Sequence, residues 1–195
     1  MKFEFATQIN PFLEVLDFAK ALEIAESSLK KIPVTDFHSI LGKSLLHHTD
    51  DLTAWIDDFH KIMSKKIEVK ALYFEMIEFD INFKIWDIDG FAYTVDGGLD
   101  INDMEWLVDF TKATTTSEAF ILKGYEQLQS AFADIGTTDE NLKDSKDWCE
   151  QIIIARFMQL MRAAHVKAKE KNLAWAKTPI YFTEHAYDFI VRSTN

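Results

Sequence analysis

Glu75 and Asp87 fall in one phase of an alternating stretch in the middle of this chain. A strand whose inward face carries Tyr73, Ile77 and Phe79 turns both carboxyl groups toward a core. Buried carboxylates have raised pKa values and serve as general acids or bases, so Glu75 and Asp87 are the catalytic candidates. A bulge between Glu75 and Ile77, or an inward arginine such as Arg156 or Arg162, gives them a structural role instead.

A second group is His47, His48, Asp57 and His60. Imidazole and carboxylate bind zinc or iron, and Asp57 and His60 at i, i+3 share a helix face. Helix ends explain the same order of residues, with His47-His48 closing one helix and Thr49-Asp50-Asp51 opening the next. These four are the metal candidates, and the expectation is that no metal or other cofactor is bound.

The third group is acidic. Asp87, Asp89, Asp96, Asp100, Asp103, Glu105 and Asp109 occupy a stretch with no Lys or Arg. Neither Asp96 nor Asp100 starts a calcium loop of the EF-hand kind, because the ligand and glycine positions do not fit. An exposed acidic surface attracts a basic partner, and an aromatic anchor strengthens it. The partner-binding candidates are therefore Trp86, Asp89, Tyr93, Asp96, Asp100 and Asp103, with Trp86 or Tyr93 as the ring on the solvent face of a hairpin.

Other chemistry is sparse. Cys149 stands near a helix start, where a thiol pKa falls; no base adjoins it in sequence, though His165 or His185 could supply one in space, and a buried inert cysteine is the expectation. Arg156, Arg162, Lys167, Lys169, Lys171 and Lys177 oppose only Glu170, which suits the end of a long helix. The chain has no dinucleotide or Walker glycine loop, no nucleophile elbow and no His-Glu-x-x-His.

The elements that carry these residues follow from period and punctuation. Asn10-Pro11 opens a helix whose apolar stripe runs from Phe12 to Ile32, and Pro33 stops it. A short helix from Thr35 and a third from Thr49 or Asp50 follow. Ile77 to Ile85 alternates as a strand, and Asp89-Gly90 predicts the two-residue turn of a hairpin. Val69–Met76 is a candidate third strand, and Lys2–Ala6 a candidate edge. Asn102 with Glu105 predicts a helix from Asp103 to about Lys112. Ser117 predicts a helix through Ile121, Tyr125, Leu128 and Phe132 to Gly136. The longest helix spans Ser145 to about Lys171, Ile180–Thr183 is a short strand, and Glu184–Arg192 a last helix. The fold class is α+β, mostly helical, with a small antiparallel sheet (a hairpin at about 76–95) packed on helices in a single domain.

Composition bounds the function. The 195 residues include 16 Phe, 5 Trp and 5 Tyr, enough for a packed core and too many for a disordered acidic tail. The net charge of −11 disfavours nucleic acid. No run approaches the roughly 20 apolar residues of a membrane span, so no membrane is expected. One cysteine and no signal-like start make the cytoplasm the expected address. Three readings remain. The first is a non-catalytic acidic module, immunity- or antitoxin-like, that engages or masks a basic protein. The second is an enzyme or small-ligand binder using Glu75 and Asp87, and the third is a structural or accessory homo-oligomer.

Overall fold

A computed structural model of the chain describes residues 3–77, 86–100, 105–107, 114–133, 139–185, 187 and 189–195. Its longest element is helix α5, Glu140–Glu170, which Asp139 caps by accepting from the Asn141 N–H at 2.9 Å. Between Asp147 and Met158 every residue of α5 is buried, so this helix has neighbours on all sides. Helices α1 (Phe3–Glu14), α2 (Phe18–Leu29) and α3 (Thr49–Met63) surround it, and α4 (Glu126–Ala133) is a shorter addition.

The single helix expected from Pro11 is two helices, and Pro11 lies inside the first. Leu16 takes a left-handed conformation (φ 61°) between them. The Asp17 N–H then reaches the Phe12 carbonyl at 2.8 Å and the Leu16 N–H the Leu13 carbonyl at 3.0 Å, the pair of bonds that closes a Schellman helix end. Asp17 at once caps α2 by accepting from the Lys20 N–H at 3.0 Å. The Lys2–Ala6 edge is corrected too, since residues 3–6 belong to α1.

The sheet has five strands in the order β3-β2-β1-β4-β5. These are β1 (Ala71–Met76), β2 (Trp86–Tyr93), β3 (Phe120–Leu122), β4 (Ile180–Glu184) and β5 (Val191–Ser193). All neighbours are antiparallel except β1 and β4, which run parallel with Leu72 opposite Ile180. The α+β class holds, but the sheet is larger than a hairpin and mixed rather than antiparallel.

Three further expectations are corrected. Asp89-Gly90 is no turn: it lies within β2, where Asp89 faces Glu75 and Gly90 faces Phe74. A Cβ on Gly90 would stand 2.9 Å from Thr116 Cγ2 and 3.0 Å from a Phe74 ring carbon, so close packing explains the glycine. Phe120–Leu122 is a strand, so the helix expected from Ser117 begins only at Glu126. The expected last helix is replaced by β5 at Val191–Ser193. The predicted strand at 78–85 lies outside the described residues, as does most of the predicted helix at 103–112, of which Glu105–Leu107 forms a 3-10 turn.

The main core draws residues from Ala6 to Val191 and contains Leu72, Phe74, Met76, Ile88, Ile180 and Phe182 on the helix side of the sheet. The opposite side carries a small separate cluster of Ala71, Tyr93, Leu107 and Tyr181. Among the described residues no helix is long and apolar enough to cross a membrane.

Candidate functional site

Alternation along β1 and β2 places the sequence candidates. Leu72, Phe74 and Met76 face the helices, so Tyr73 and Glu75 face the outer side of the sheet. In β2 the outer residues are Asp87, Asp89, Phe91 and Tyr93. Glu75 and Asp87 therefore share a face as expected, but it is the outer one. Met76 and Ile77 both pack on the main core, so the alternation breaks after Met76 and Ile77 does not mark the phase of Glu75.

The register sets Glu75 directly opposite Asp89 and Tyr73 opposite Phe91, with the last two rings 5.7 Å apart. Glu75 is 21% exposed and accepts a hydrogen bond from Nδ1 of His185, an exposed residue just after β4. Asp89 is exposed and accepts from the Thr116 hydroxyl at 3.3 Å. Partial burial, and then the neighbouring Asp89 charge, raise the pKa of Asp87. Three carboxylates thus stand together beside two aromatic rings.

The other end of the outer face is closed. Trp106 packs edge-on to Tyr93 and Tyr181, at 5.1 and 5.0 Å, and its indole N–H donates to the Gly98 carbonyl at 3.3 Å. A Cβ on Gly97 would lie 2.2 Å from Trp106 Cδ1, so only glycine admits this ring. Tyr93 donates to the Leu107 carbonyl. Asp96 accepts from the Tyr181 hydroxyl and, at 2.8 Å, from Arg192 Nη2. Burial holds the Tyr73, Tyr93 and Tyr181 hydroxyls well above the usual phenol range, so all three are neutral donors.

The partner-binding candidates are thereby dispersed. Trp86 is corrected as a solvent anchor: it is 1% exposed and meets Tyr125 and Phe132 under the sheet. Tyr93 is covered by Trp106, and Asp96 is engaged by Arg192 and Tyr181. Asp89 and Asp100 are exposed, and Asp103 lies outside the described residues.

An anchor site exists elsewhere. A groove of about 390 Å³ runs between α3 and residues 115–118, with Trp55, Phe59, Ile62 and Met63 on its apolar wall. Thr116 lines this groove and also bonds Asp89, so the groove meets the acidic row at the edge of β2. The spacing 55, 59, 62 and 63 is the only sequence signal, and a buried helix face shows the same one.

The metal candidates do not converge. His48 is buried and donates to the Lys123 carbonyl at 2.9 Å, while His47 donates to the Ser44 carbonyl at 3.0 Å. Asp57 pairs with Lys61 one turn on, and burial lowers the pKa of His60 despite the nearby Asp57. Among the described residues no three His, Cys, Asp or Glu side chains gather as metal ligands.

Three buried ionisable groups complete the inventory. Burial pushes the Cys149 thiol far up, which removes it as a nucleophile. Burial also raises Glu150 to about 7, although Lys146 stands 3.2 Å away. The Ser193 hydroxyl accepts from Arg162 at 2.8 Å and is hydrogen-bonded to His165 Nδ1 at 2.9 Å. Sequence reading missed the last two because neither Glu150 nor the distant His165–Ser193 pair belongs to a motif. Both His165 and Ser193 are fully buried, so this pair meets no substrate.

No family model, curated protein or solved structure matches this chain.

Proposed function

We propose that the chain is a non-catalytic acidic binding module that engages a basic protein through the outer face of β1 and β2. The observation that carries this reading is the register that sets Glu75 opposite Asp89, with Asp87 beside them. Like charges facing each other across a strand pair weaken a sheet, so folding alone gives no reason for the arrangement. A partner's Lys or Arg relieves it, and the adjoining Tyr73 and Phe91 rings add cation–π attraction. The groove beside Trp55 and Phe59 adjoins the same region through Thr116 and offers an apolar pocket for an anchor side chain of the partner.

Titration of the isotope-labelled chain with an arginine-rich and a glutamate-rich peptide tests this. The reading expects saturable amide shifts at Glu75, Asp87 and Asp89 with the first peptide only, weakened by salt. In Asp87→Asn/Asp89→Asn the shifts fall at least tenfold. Shifts that scatter over the surface, or survive the double substitution, overturn it.

The Glu75–His185 pair supports a second reading, an enzyme or small-ligand binder, because a carboxylate that orients an exposed imidazole sets up a general base. A metabolite that raises the thermal midpoint of the parent but not of His185→Gln selects this reading over the first.

A further inference from the structure

The six cations between Arg156 and Lys177 are not alike in the folded chain. Arg156 pairs with Glu26, and Lys167 and Lys171 both reach Asp50. Among the described residues Lys169 and Lys177 have no carboxylate partner, and both line one cavity of about 520 Å³. Asn172, Leu173, Ala174, Ala176 and Asn195 complete its wall, with no Asp or Glu. Arg162 stands behind that wall: its Nη1 donates to the Ser193 hydroxyl, the Thr194 carbonyl and Asn195 Oδ1, all neutral oxygens. With the α-carboxylate of Asn195 counted as one negative charge, Lys169, Lys177 and Arg162 still leave a local excess of positive charge around one concavity in a chain of net charge −11.

The dipole of α5 explains a lysine in its last turn, as at Lys169. It does not explain Lys177, which comes from the separate 3-10 turn at Ala174–Lys177. Both lysines line the same cavity and both are exposed, so their like charges share one concavity with no carboxylate side chain in its wall. Asn172, at φ 53°, turns the chain between the two elements, and its exposed side-chain amide can donate into the same space.

We propose that this cavity binds a phosphate-bearing small molecule, with Lys169 and Lys177 as counter-ions and the Asn172 amide as a neutral donor. Phosphate fits better than carboxylate. Two separate point charges match a compact anion of charge near −2, whereas a lone carboxylate brings only −1. The net charge repels anions from the rest of the surface, so binding here stands out against a low background.

The test is calorimetric and amide-shift titration of the whole chain with inorganic phosphate, pyrophosphate and citrate at fixed ionic strength. Saturable binding of either phosphate probe is expected, with shifts at Lys169, Asn172 and Lys177 and weaker binding of citrate. Lys169→Gln/Lys177→Gln lowers the affinity at least tenfold and leaves the thermal midpoint in place. Should that variant lose its fold, each single substitution is read instead and lowers affinity at least threefold. No saturable phosphate binding, binding unchanged in the variants, or citrate bound as well as phosphate overturns the assignment.

Discussion

On the helix side of the sheet, Leu72, Phe74, Met76, Ile88, Ile180 and Phe182 are buried without exception. One residue along the same strands, Tyr73, Glu75, Asp87, Asp89 and Phe91 keep contact with solvent, and three of the five are acidic. The backbone hydrogen bonds are shared, so the difference lies in the side chains alone. The inner face supplies cohesion through apolar area, at roughly 25 cal/mol per Å² removed from water. The outer face divides again: Tyr93, Trp106, Tyr181 and Asp96 lock one end, and the carboxylates crowd the other.

Substitutions should separate these roles. The largest effect is expected at Phe182→Ala, which empties a fully buried site against Phe157 and should cost about 3–5 kcal/mol in urea unfolding. Next comes acid. Burial and the nearby Arg162 charge push His165 from 6.5 down to about 4, so the unfolded chain takes up its proton first. That contribution is present above pH 6.5 and lost as pH falls through about 4, an interval worth roughly 3 kcal/mol. Glu150 acts in the opposite sense: its contribution is present below about pH 4.5 and lost as pH rises through about 7. The two intervals overlap with opposite sign, so the parent's stability should change little from these groups between about pH 4.5 and 6.5, and His165→Gln should unmask the loss of stability with rising pH that Glu150 causes.

Gly90→Ala should destabilise by about 1–3 kcal/mol, because the new methyl meets Thr116 and Phe74 at the inner face. Asp96→Asn, at the locked end of the outer face, should cost about 1 kcal/mol by weakening the bonds from Tyr181 and Arg192. Asp89→Asn should change stability by less than about 0.5 kcal/mol, or raise it slightly, while weakening peptide binding. A large loss of stability at Asp89 would erase the distinction between the carboxylate end and the locked end.

Apolar spacing made α3 and α5 legible but not their starts: Thr49 and Asp50 lie inside α3, which has no side-chain cap bond, and α5 begins at Glu140 behind an Asp139 cap rather than at Ser145. Glu75 and Asp87 share a face through the β1–β2 register, since the alternation that was to join them breaks after Met76. Local signals misled where tertiary contacts decide. Asp89-Gly90 has turn chemistry, yet the glycine answers the approach of Thr116 and Phe74, which are distant in sequence. The apolar stripe from Phe12 to Ile32 continues through Leu16 without a break, so the helix end there leaves no trace in the pattern. Ile121, Tyr125, Leu128 and Phe132 fit a helical period although the first is in β3. The side of the sheet that became the core was hidden because both phases of β1 carry large apolar or aromatic residues.

The parallel pairing of β1 with β4 has a kinetic meaning. Leu72 waits for a partner, Ile180, that lies more than a hundred residues later, whereas its other neighbour, Ala92, follows within about twenty. During synthesis β1 and β2 can meet early, but the far edge of β1 stays unsatisfied until β4 has been made, so completion of the sheet should be slow. Until then the exposed strand edge can join a second nascent chain, which makes β1 the segment most in need of protection by a chaperone.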